Sequence, residues 1–73
     1  MNNSKISDML FEAAEAVKDI FYIKSPRLEQ IDLTVPQFIF SWTKANKERV
    51  FYSVLYENNK LSSIRRLYAR EDI

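Results

Sequence analysis

The sequence predicts an all-α domain, a small bundle of three to four short helices, with dimerisation as a further source of stability. Three observations carry that expectation. Apolar residues recur at helical spacing from Ile6 to Phe21 and again at Leu61, Ile64, Leu67 and Tyr68. There is no glycine in the chain, and tight two-residue hairpins favour glycine. With 73 residues, folding buries only about 60% of the surface the unfolded chain exposes. Cysteine and histidine are absent, so helix packing or self-association must replace disulfide and metal staples. The competing fold is α+β, an N-terminal helix followed by a C-terminal β-hairpin.

The first helix is expected over residues 5–23. Ile6, Met9, Leu10, Ala13, Val17, Ile20 and Phe21 form one stripe, Asp8, Glu12, Glu15 and Lys18 the charged face opposite, and Ser4 is placed to cap it. Pro26 stops it by disfavouring α geometry at Ser25, and residues 26–30 suit a short helical turn. Thr34 and Gln37 have capping-box spacing, so a second helix is expected from Val35 with Phe38, Ile39, Trp42 and Ala45 on its apolar face.

Residues 49–57 are rich in strand formers. The hairpin alternative pairs Phe38–Thr43 with Arg49–Tyr56 and turns again at Glu57–Lys60. As a strand, Phe51 and Leu55 share a face with Ser53 and Glu57; as a helix, Val50, Phe51, Val54 and Leu55 gather on one side. The last segment favours the helix, because the i, i+3, i+6, i+7 apolar spacing turns Ser62, Ser63, Arg65 and Arg66 outward. A third helix over residues 46–57 and a fourth over 60–70 follow, joined by Asn58-Asn59 as stop and cap. The whole chain, residues 1–73, is expected to form one helical domain.

The absences also restrict function. Zero glycines, where about five are usual, remove the phosphate-cradling loops of nucleotide-binding motifs. Without cysteine or histidine there is no zinc finger, thiol nucleophile or imidazole base. The carboxylate pairs Asp8/Glu12, Glu12/Glu15 and Glu15/Asp19 lie on a solvated helix face with no pocket to shift their pKa values. The chain is therefore expected to be no enzyme, with no cofactor and no metal. No apolar run is long enough to span a membrane, and Met1-Asn2-Asn3-Ser4-Lys5 leads into an acidic amphipathic stretch. A cytoplasmic location is expected.

Recognition of another protein is the function the composition favours. Ten aromatics exceed the interior positions of so small a domain, and exposed aromatics with arginine concentrate at protein interfaces. The expected partner-binding surface combines Phe40, Tyr52 and Tyr56 with Arg49, Arg65 and Arg66. Phe11, off the first helix's stripe, offers a contact for a second copy, and a homodimer would add stability. Charge supports an asymmetric surface: residues 1–34 carry a net −2 and residues 35–73 a net +3, within an overall +1. The alternative is DNA binding by the third and fourth helices as a helix-turn-helix pair, with Ser62, Ser63, Arg65, Arg66 and Arg70 toward the groove. Glu48, Glu57, Glu71 and Asp72 weaken that field.

Val50-Phe51-Tyr52-Ser53 followed by Leu67-Tyr68 resembles the central helix of the Hha/YmoA family. These are small all-helical modulators that bind nucleoid-associated proteins. The resemblance covers about 19 residues. Leu55-Tyr56-Glu57-Asn58 stands where the family has an acidic-His-Arg signature, so no functional residue carries over.

Overall fold

A computed structural model describes residues 3–67. Its one helix, α1 (Asn3–Phe21), precedes four strands: β1 (Arg27–Asp32), β2 (Gln37–Thr43), β3 (Arg49–Glu57) and β4 (Lys60–Leu67). The strands form an antiparallel meander in the order β1-β2-β3-β4. The expected all-α bundle is therefore overturned: α1 forms, but the segments expected as second, third and fourth helices are strands. The helix-turn-helix pair goes with them. Of the expected fourth helix, residues 68–70 lie outside the described residues, as do Tyr68 and Arg70.

Strand alternation explains β3. Val50, Tyr52, Val54 and Tyr56 fall on one face, and all four are buried. That face is wholly apolar; the mixed set Phe51, Ser53 and Leu55 occupies only the other. Phe38 and Phe40 on β2 stand directly across from Val54 and Tyr52, so the two central strands present one continuous apolar surface. α1 closes it with Met9, Ala13 and Val17, and Leu10, Ala14 and Phe21 pack at the margins. β-branched and aromatic side chains on a pleated surface outweigh the weak helical propensity of the same residues.

β-bulges disguise the two outer strands. Register shifts between Leu28 and Gln30 on β1, and on β4 an extra residue, Ser62, sits between the partners of Leu55 and Tyr56. A bulge reverses the parity of the residues beyond it. Leu61 and Ile64, three apart, thus share the helix-facing side opposite Tyr56 and Val54, and Leu28 and Ile31 do the same opposite Phe40 and Phe38. The i, i+3 spacing that suggested a helix in the last segment is a strand with a bulge.

Among the described residues, four non-glycine residues make the turns that need positive φ: Tyr22 (57°), Lys47 (71°), Asn58 (52°) and Asn59 (66°). Positive φ at both Asn58 and Asn59 is the two-residue type I′ hairpin geometry, which asparagine tolerates. Between β2 and β3, Lys47 N donates to Lys44 O and Lys44 N to Glu48 O, each at 2.8 Å, a type I turn followed by a left-handed residue. α1 stops at Phe21, ahead of Pro26. Ile23 N donates to Lys18 O at 3.2 Å with Tyr22 left-handed between them, the Schellman ending. Ser4, expected to cap the first helix, lies inside α1, and Thr34, expected to open a second helix, lies in the β1–β2 connection, where its N and Oγ1 donate to Asp32 Oδ1 at 3.0 and 2.6 Å. Among the described residues, no helix is long and apolar enough to cross a membrane.

Candidate functional site

The six residues expected to form one surface are divided among three environments. Phe40, Tyr52 and Tyr56 are core, with relative exposures of 2%, 5% and 0%, so the expected exposed aromatic patch does not form. Their alternation places them under α1, which a helical projection could not show. Arg49 and Arg65 lie on the opposite, open face of the sheet. Arg66 returns to the helix side, directly across from Tyr52.

The open face is built in cross-strand rows. Ser41, Phe51 and Leu67 form one; Ile39, Ser53 and Arg65 the next; Gln37, Leu55 and Ser63 the third. Phe51 and Leu55 are half-buried, and Arg65 is exposed. Gln37 Nε2 donates to Ser53 Oγ at 2.7 Å. At one corner Glu29 Oε2 accepts from Ser41 Oγ and from Arg49 Nη2, the latter at 2.8 Å, with Arg27 Nε 3.8 Å away. The Ser41 hydrogen bond, supported by the two guanidinium charges, holds the Glu29 carboxyl below its ordinary value although partial burial opposes this. The Arg49 guanidinium carbon also lies 5.9 Å from the centre of the Phe51 ring, within cation–π range.

On the helix side, a cleft of about 340 Å³ opens beside the end of α1. Phe21, Trp42, Tyr52 and Arg66 line it together with the exposed Tyr22 and Lys44. The Phe21 and Tyr52 rings are 4.4 Å apart, tilted by 39°. Burial raises the Tyr52 hydroxyl pKa, and the positive charge of Arg66 opposes that rise. Lys44 Nζ lies 3.3 Å from Glu48 Oε1 in an exposed pair. The sequence reasoning did not single out Tyr22, which it placed inside the expected first helix; Lys44 it counted only among the basic residues of the nucleic-acid alternative.

Glu12 Oε1 lies 2.7 Å from the Tyr56 hydroxyl, and Glu15 pairs with Lys18 at 3.0 Å. Among the described residues no group of three His, Cys, Asp or Glu is placed to hold a metal ion. No family model matches the chain, and no curated protein or solved structure matches it. The resemblance to the Hha/YmoA central helix is not sustained, since residues 50–53 belong to β3 and Leu67 ends β4.

Proposed function

We propose that this chain is a non-catalytic regulatory or adaptor protein that takes a protein partner on the open face of its sheet. The observation that carries this reading is the one-sided cover of the sheet. α1 packs on the Phe38/Tyr56 face, while on the opposite face, around the buried Ile39 and Leu67, Phe51 and Leu55 stay half-exposed and Arg65 exposed. An apolar centre with arginines beside it is the composition of a protein-binding patch. Phe51 and Leu55 would receive an apolar anchor. Arg65 would receive a flanking carboxylate, since Arg49 is already engaged by Glu29.

Affinity capture from the native host with the tagged chain, after nuclease treatment, tests this. A protein retained by the wild type is lost with Phe51→Ser and with Arg65→Glu, and is kept with Phe11→Ser, which changes only an exposed residue of α1 (70% exposed). Circular dichroism confirms that each variant folds. Retention through both sheet-face changes, or loss with Phe11→Ser, overturns the assigned surface. Sedimentation in the same experiment distinguishes a second copy of the chain as the occupant. Loss of capture on nuclease treatment alone points instead to nucleic acid.

A further inference from the structure

Among the described residues, β1 and β4 are the outer strands of the sheet, each paired along one side only. An outer strand turns alternate N–H and C=O groups away from its neighbour, where a further strand can bond to them. The two edges differ in charge. The charged residues of β4, Lys60, Arg65 and Arg66, are all cations, so laying β4 along another β4 brings like charges together. β1, Arg27-Leu28-Glu29-Gln30-Ile31-Asp32, carries both signs and an apolar pair. Its Ile31 keeps 43% of its surface exposed.

The order of residues in β1 is self-complementary. Laid antiparallel on itself about a two-fold axis between Glu29 and Gln30, Arg27 meets the partner's Asp32, Leu28 meets the partner's Ile31, and Glu29 meets the partner's Gln30. The faces agree as well. Leu28 and Ile31 stand on the helix side, opposite Phe40 and Phe38, whereas Arg27, Gln30 and Asp32 stand on the open side, opposite Ser41, Ile39 and Gln37. Glu29 bonds Ser41 on that open side. Directly opposed residues of antiparallel strands share a face. A bulge ordinarily spoils an edge for pairing, but in this register the two bulges fall opposite each other and parity is kept on both sides of them. A shift of one residue sets helix-side Leu28 against open-side Gln30 or Asp32.

We propose that β1 pairs with β1 of a second copy of this chain, joining the two sheets into one with both helices on the same face. Arg27 is well placed for the partner's carboxylate: it is exposed, and its Nε lies 3.8 Å from Glu29 Oε2, beyond hydrogen-bond reach. Asp32 accepts from Thr34 through Oδ1, and a carboxylate has further lone pairs to offer. Association also supplies stability that a core of this size does not. The edge is separate from the open face, which the pairing leaves uncovered and makes continuous across the two copies.

Sedimentation equilibrium of the full chain in low-salt buffer, over a wide concentration range, is expected to show a reversible dimer. Ile31→Glu weakens it at least tenfold. Arg27→Glu and Asp32→Lys, each placing like charges opposite one another twice, weaken it at least fivefold, and mixing those two variants restores a heterodimer in which every such pair is again of opposite sign. Phe11→Ser on α1 and Phe51→Ser on the open face leave the dimer intact, so partner capture and self-pairing fail independently. Circular dichroism checks the fold of each variant. If Asp32→Lys loses its turn with Thr34 and unfolds, Ile31→Glu and Arg27→Glu decide the matter. A chain that stays monomeric throughout, a dimer that survives Ile31→Glu, folded charge variants that do not pair on mixing, or a dimer dissociated by Phe11→Ser or Phe51→Ser overturns the proposal.

Discussion

The Tyr56 hydroxyl lies 2.9 Å from the Met9 main-chain oxygen and 2.7 Å from Glu12 Oε1, joining the middle of the sheet to α1. Its one proton is shared between two acceptors. Burial is the main reason the hydroxyl holds that proton far above its ordinary range, and the neighbouring Glu12 adds to the effect. Few contacts other than apolar packing fix the helix on the sheet, so this polar tie sets its position along the strand.

Tyr56→Phe is accordingly expected to lower stability by about 1.5–3 kcal/mol, the range for a hydrogen bond with a charged participant. Glu12→Ala costs less than about 1 kcal/mol, because the Met9 carbonyl still accepts the proton. Urea denaturation of the two single variants and the double variant measures both effects and their coupling. A Tyr56→Phe loss under about 0.3 kcal/mol would show that packing alone seats the helix.

Phe38 is fully buried and meets the Tyr56 ring edge-on at 5.8 Å. Truncating a buried phenylalanine costs about 3–5 kcal/mol. A core in a chain this short supplies little more than about 3–5 kcal/mol in total. Phe38→Ala is therefore expected to be largely unfolded at 25 °C by circular dichroism. Leu33→Ala, at an exposed site, stays within about 0.5 kcal/mol of the wild type. A folded Phe38→Ala variant would mean that the core collapses around the cavity.

Much of α1 was legible from its own periodicity, since Met9, Ala13 and Val17 pack where the stripe places them. β3 was harder. Weighing Phe51 and Leu55 as the apolar pair hid the cleaner set on the other parity, Val50, Tyr52, Val54 and Tyr56. β4 was not legible by period alone, because the extra residue Ser62 gives a strand the spacing of a helix. The candidate sites followed the same pattern. Arg65 and Arg66 are neighbours in sequence but occupy opposite faces of the sheet, a separation visible only once the segment is extended.

Glu29 ties the sheet's stability to pH. Its carboxyl titrates below the usual 4.5 because Ser41 donates to it and Arg49 and Arg27 lie near. A depressed folded-state pKa contributes stability that is present above about pH 4.5 and is lost as pH falls through the lowered value. Glu29→Gln should be less stable than the wild type at pH 7, with the gap closing progressively below pH 4.5. Urea midpoints for both proteins across the acid range check this. A gap constant down to pH 2 would show that the carboxylate charge contributes nothing beyond shape.

The left-handed residues offer a graded test of how a chain without glycine makes its turns. Left-handed geometry costs an ordinary residue about 1–2 kcal/mol, whereas asparagine, whose short side chain bonds locally, visits it more readily. Asn59→Gly at φ 66° should therefore raise stability only slightly, while Lys47→Gly at φ 71° and Tyr22→Gly at φ 57° should each raise it by about 1 kcal/mol. Asn58→Ala, which puts an ordinary side chain into the first position of the type I′ turn, should lower it by about 1 kcal/mol. Thermal melts of the four variants rank these effects. The sign at Tyr22 is the most informative: a stability gain means that the tyrosine side chain strains the left-handed helix end, whereas a stability loss means that the exposed ring supports the fold.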